Sequence, residues 1–141
     1  MNLGRFIFAV TTLAVGLLLV FGFKQMKKNE LRDRGIEIVM QFLELSEKSD
    51  FVAAHNLMDP RYRELQGPDT TEQICVEITQ TPIASPEDWL FSVSDGQITI
   101  SPHVIDEETD WGTAYVLTET AEGLRFTGEI VEFQCDDGRP I

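Results

Sequence analysis

The sequence predicts an α+β fold behind a single membrane-crossing helix, with helices packed on a curved antiparallel sheet of about four strands. Three observations lead there. Residues 6–23, FIFAVTTLAVGLLLVFGF, form an eighteen-residue run without a charge, closed by Arg5 and Lys24. From residue 36 apolar side chains recur at the helical period, and from residue 89 they alternate.

At about 1.5 Å of rise per residue, eighteen helical residues span about 27 Å, close to the hydrocarbon thickness of a bilayer. Water is absent at that depth, and only a helix satisfies its own backbone within one segment. Thr11 and Thr12 are tolerated because each hydroxyl can bond a carbonyl one turn back. A cleaved signal peptide is the alternative; its apolar region is usually about 7 to 15 residues and ends at a small-x-small site, which the following KQMKKNE does not offer. The expected organisation is an anchor over 1–24, a basic stalk over 25–35 and one acidic domain over 36–141, near the usual size of a single core.

Charge divides the same way. Residues 1–35 carry six Lys or Arg against two acids, and residues 36–141 carry five against twenty-two, so the two parts are +4 and −17 within a net −13. Such a domain is repelled by nucleic acid and by anionic headgroups, and is steered towards a basic partner or cations. Plain solubility accounts for the same acidity.

Residues 25–34 are rich in helix formers, so the anchor helix is expected to continue as a stalk until Gly35 loosens it. Ile36, Val39, Met40 and Leu43 then fall at i, i+3, i+4 and i+7, with Ile38, Phe42 and Leu45 widening the stripe. Ser49 or Asp50 can cap a short second helix through Phe51, Ala54, Leu57 and Met58. Asp59-Pro60 starts a further turn through Tyr62 to Leu65, which Gly67-Pro68 stops. Thr70-Thr71-Glu72-Gln73 has the form of a capping box, and Ile74, Cys75 and Ile78 edge a third main helix, although Val76-Glu77-Ile78-Thr79 also alternates as a strand would. Ser85-Pro86 can cap one more turn or simply lead the chain into the sheet.

Trp89, Phe91 and Val93 alternate up to Asp95-Gly96, a two-residue hairpin turn, and Ile98 and Ile100 alternate on the return. Residues 102–110 read as a loop. A second hairpin joins 112–119 to 124–133 through Ala121-Glu122-Gly123. Leu124, Phe126 and Ile130 take one face there and Val131 and Phe133 the other, so a bulge or bend beside Gly128 is expected to curve the sheet.

The run VMQFLELSEKSDFVAAHNLMDPRYREL resembles the opening of many NTF2-like domains of the cystatin-like superfamily. Shared features are an amphipathic helix, a polar break with Asp, a second helix ending in an aliphatic pair, and a short turn with basic and aromatic residues. The resemblance covers about 27 residues and carries no catalytic motif. It implies a cone-shaped fold that serves relatives as a binding module, a dimerisation unit or, less often, a small isomerase or dehydratase.

Cys75 and Cys135 are the only cysteines, and the expectation is that they form one disulfide across a loop of about 60 residues, stabilising by about 4 kcal/mol in the chain-entropy picture. In a reducing compartment they would instead be buried free thiols, and their spacing makes neither a zinc site nor a redox motif. The basic residues after the anchor (Lys24, Lys27, Lys28, Arg32, Arg34) would place the domain in the cytoplasm by the positive-inside rule. The cysteine pair, the short amino tail and the resemblance point to the other side, which is the expectation adopted here: a single-pass membrane protein with most of the chain periplasmic or extracellular.

Candidate sites are few. His55 stands one turn after Phe51 and one turn before Asp59, the setting of a helix-surface histidine beside a carboxylate or of a general base. His103, Asp106, Glu107, Glu108 and Asp110 could meet a hard cation, but without EF-hand spacing. Tyr62 or Tyr115 with an acidic partner could serve the kind of enzyme the resemblance implies. Nucleophile elbow, phosphate loop and basic nucleic-acid patch are absent. No catalytic, metal or cofactor site is therefore expected. Thr12 and Gly16 form one small-xxx-small pair for helix contact. The expected function is a non-catalytic accessory module that binds a protein partner or assists a membrane complex, and the alternative is a small-molecule carrier or isomerase/dehydratase-type enzyme using the interior of the cone.

Overall fold

A computed structural model describes residues 3–104, 111–136 and 139–140, with the backbone alone for 3–10, Thr12, 135–136 and 139–140. The fold is α+β. Four helices, α1 (Leu3–Glu47), α2 (Phe51–Asn56), α3 (Pro60–Leu65) and α4 (Pro68–Gln80), precede a 3-10 turn at Pro86–Asp88. The strands β1 (Leu90–Ser94), β2 (Gln97–Ser101), β3 (Trp111–Thr120) and β4 (Gly123–Asp136) form an antiparallel meander in that order, and the two-residue β5 (Arg139–Pro140) pairs with the end of β4.

The chain divides into two compact units, Met1–Arg32 and Asp33–Ile141. In the first, α1 is apolar all round from Leu17 to Phe21: Leu17, Leu18, Leu19, Val20 and Phe21 are each 57–72% exposed. At 3.6 residues per turn those five positions circle the helix completely. Among the described residues, nevertheless, no helix is long and apolar enough to cross a membrane; the side chains of residues 6–10 and Thr12, within the uncharged run, lie outside that description.

Within the second unit, α1 buries Gly35, Val39, Phe42, Leu43 and Ser46. The helix does not loosen at Gly35. Its missing side chain instead admits Ile100, whose Cδ1 would lie 2.5 Å from a Cβ there. The stripe is also rotated from the one expected, and Met40 is half exposed. Phe42 meets Phe126 of β4 with ring centroids 4.7 Å apart. Buried Val39, Met58, Ile78, Ile98, Ile100, Tyr115 and Leu117 complete the core between helices and sheet.

Local signals explain the joints. Asp50 caps α2 by accepting from the Ala53 amide, and Asp59 caps α3 by accepting from the Arg61 amide, with Pro60 at the first helical position. α4 begins earlier than the capping-box pattern indicates. Gly67 is its N-cap and Pro68 its first residue, so the pair that ends α3 also starts α4, and Thr70 falls inside the first turn. The competing strand does not form, because Thr71, Cys75 and Ile78 make one buried helical edge.

The β1–β2 hairpin pairs Ser94 with Gln97 across Asp95 and Gly96, whose φ values of 51° and 79° are those of a type I′ turn. In the β3–β4 ladder the register shifts between Tyr115, opposite Ile130, and Leu117, opposite Phe126. Residues 127–129 thus oppose Val116 alone, a bulge centred on Gly128 at φ 81°. Thr127 Oγ1 donates to the Val116 carbonyl and accepts from the Glu129 amide, which satisfies groups the ladder leaves open.

Candidate functional site

The β-bulge and the helices together build a cleft. Tyr62 of α3 lies on Gly128, where a Cβ would sit 2.2 Å from the ring. Next to it opens a cavity of about 740 Å³. Thr70, Gln73, Ile74 and Glu77 form one wall from a single face of α4, Leu65 and Gln66 stand at the end of α3, and Gln97, Thr118 and Thr127 come from the sheet. Asp59 and Arg61 lie at the α3 start. The cleft is open to solvent and rich in amides and hydroxyls. Its wall follows i, i+3, i+4, i+7 spacing beside the buried Thr71–Cys75–Ile78 edge, a signal present in the sequence; the contribution of β2, β3 and β4 depends on topology.

The second polar feature is enclosed. His103 Nε2 lies 2.7 Å from the Tyr115 hydroxyl, both side chains being buried. β3 supplies Tyr115. His103 is held by a bridge to Ile83, flanked by backbone bonds from Ala84 to Pro102 and from Val104 to Pro82. Burial lowers the pKa of His103 below 6.5, and the Pro82 carbonyl opposes that shift. Nδ1 is buried without a well-formed hydrogen bond. Burial, and then the charge of Glu77, raise the Tyr115 phenol well above its ordinary value. A neutral imidazole and a neutral phenol can exchange a proton, but neither side chain lines the cleft.

The remaining sequence candidates separate. His55 is not paired with a carboxylate: its Nδ1 lies 2.9 Å from Thr71 Oγ1, joining α2 to α4, and its ring is 6.0 Å from that of Tyr62. Asp106, Glu107, Glu108 and Asp110 lie outside the described residues, and no cluster able to hold a metal ion occurs among those described.

Cys75 is a buried free thiol, and its pKa is raised by burial against the opposing effect of a hydrogen bond with Ser46. The expected bond to Cys135 is not formed, while the Cys135 side chain itself lies outside the described residues. Chain geometry gives a reason. Ser46 is one turn beyond Phe42, which meets Phe126, whereas Cys135 lies nine residues further along β4, about 30 Å of strand. A disulfide needs Cα atoms within about 7 Å.

Ion pairs gather at the β3–β4 hairpin. Arg34 of α1 meets Glu119 at 2.8 Å, and Arg63 of α3 meets Glu122 at 2.5 Å, with Arg125 Nε at 3.8 Å from the same carboxylate. Exposed pairs of this kind contribute about 0–1 kcal/mol each and fix orientation more than stability. No known protein family, curated protein or solved structure matches this chain.

Proposed function

We propose that the chain is a membrane-anchored, non-catalytic interaction module whose acidic, NTF2-like α+β domain binds a protein partner or assists a membrane complex. The observation that carries this reading is the bare apolar circumference of α1 from Leu17 to Phe21. A helix apolar on every side needs an apolar surrounding, and a bilayer supplies one to an uncharged run of this length. Reading the function as non-catalytic draws support from the placement of the His103–Tyr115 pair, buried in the core and not lining the cleft.

The test is purification in mild detergent from native membranes. The reading expects the chain in the membrane fraction and in a complex larger than one copy. A lone monomer with no bound protein counts against it. The domain is proposed to lie outside the cytoplasm on the strength of the family resemblance, against the bias of the basic residues after the anchor. Protease added to sealed cells or vesicles decides the side.

One observation favours a second reading. The contact between His103 and Tyr115 is the pairing a proton-transfer enzyme of the isomerase or dehydratase type requires. That reading needs a route from solvent to the pair, and binding of a small phenol or enone that perturbs the His103 ring resonances would support it.

A further inference from the structure

We propose that the cleft between α3, α4 and the β-bulge is the site where the domain holds its partner, and that it takes an extended peptide segment carrying a basic residue beside an apolar one. This rests on the interaction-module reading above. The cleft's volume, about 740 Å³, falls within the range of about 300–1,000 Å³ typical of ligand sites.

Its chemistry narrows the occupant. Gln66, Gln73 and Gln97 offer amides, and Thr70 and Thr118 offer hydroxyls, groups that both donate and accept and so match the peptide backbone. Apart from the bond from Thr70 Oγ1 to Gln66 Oε1, these side chains make no mutual hydrogen bond. Leu65 is 76% exposed at the rim and Ile74 is half-buried on the wall, a seat for one apolar side chain. A sugar is a poorer fit. The aromatic ring that would stack on it, Tyr62, is packed against Gly128.

Charge sets the sign. Glu77 is exposed on the cleft wall with no ion-pair partner among the described residues, and the other two charged lining residues, Asp59 and Arg61, carry opposite signs. The net −17 over residues 36–141 adds a long-range pull on cations. A lysine or arginine next to the apolar residue therefore meets Glu77 while its neighbour covers Leu65 and Ile74.

The experiment uses the full chain in detergent micelles and two synthetic probes, acetyl-Lys-Leu-Lys-Leu-Lys-amide and its Glu-for-Lys counterpart, titrated to about 1 mM. Amide and methyl resonances of Leu65, Gln73, Ile74 and Glu77 are followed. The expected result is saturable shifts confined to the cleft with the basic peptide, at least about tenfold weaker binding of the acidic one, and about tenfold loss in each of Leu65→Ser and Glu77→Lys. Both substituted positions are exposed, so these variants keep the fold. Shifts elsewhere, equal binding of the two peptides, or no saturation with the basic one overturn the proposal. Failure here is separable from failure of the module reading: if Leu65→Ser and Glu77→Lys retain the complex isolated with the unmodified chain, the partner is real and the cleft is not its seat.

Discussion

His103 Nε2 and the Tyr115 hydroxyl lie 2.7 Å apart inside the core, joining the β2–β3 connection to the middle of β3. The bond is made with either imidazole tautomer, the ring nitrogen accepting from the phenol or donating to it. Removing the hydroxyl in Tyr115→Phe leaves a buried nitrogen without its partner, at a cost of about 1–3 kcal/mol. Urea unfolding of the two proteins measures it. A difference below about 0.5 kcal/mol would mean that the bond contributes little.

The same pair makes stability depend on pH. Burial lowers the pKa of folded His103 below the ordinary 6.5, so as the pH falls the unfolded chain takes up this proton first. The contribution is full above about pH 6.5 and is lost as the pH falls from there towards the lowered folded value. Of the groups facing the ring, Tyr115 stays neutral throughout this window because its own pKa is raised. Urea midpoints between about pH 7.5 and pH 5 are expected to fall, and His103→Gln to flatten the decline. Identical slopes in the two proteins would rule out His103 as their source.

Two glycines with similar backbones have different reasons to be glycine. Gly128, at φ 81°, also has the Tyr62 ring where a side chain would go, while Gly96, at φ 79°, has nothing within 4 Å of such an atom. Gly96→Ala should therefore cost only the left-handed conformation, about 1–2 kcal/mol. Gly128→Ala adds displacement of Tyr62, for about 2–4 kcal/mol in all. It should also disturb resonances lining the cleft, which Gly96→Ala should leave in place.

Much of this was legible in local signals. Asp95-Gly96 announces its turn, Asp59-Pro60 its helix start, and the change of face around Gly128 its bulge, because each depends on conformations that few residue types adopt. His103 and Tyr115 carry no such mark. Their meeting follows from the β2–β3 register and from the bridge between Ile83 and His103, neither of which any short stretch encodes. Gly35 was legible as a glycine but not as a contact, since helix interiors exclude glycine for reasons of propensity and admit it for reasons of packing that only Ile100 reveals.

A charge placed in the uncharged run tests the anchor directly. Val15→Lys puts a lysine at a position 55% exposed at the middle of residues 6–23. At the centre of a bilayer-spanning helix this costs about 3 kcal/mol, and the protein should partition less into the membrane after alkaline carbonate washing. Retention unchanged from the unmodified chain would favour a protein groove as the cover for this helix.

The bridge between Met58 and Phe126 has a consequence for the order of events in folding. Leu57 and Asp59 exchange backbone hydrogen bonds with Phe126, so the junction from which α3 departs is fastened to a strand 68 residues later in the chain. Closing a loop of that length costs about 4 kcal/mol before any contact compensates. The local hairpin β3–β4 forms without that cost and presents Phe126 already in place. Chain assembly is therefore expected to run from the sheet towards the helices, so mutations in β3 and β4 should slow refolding while those in α2 and α3 mainly hasten unfolding.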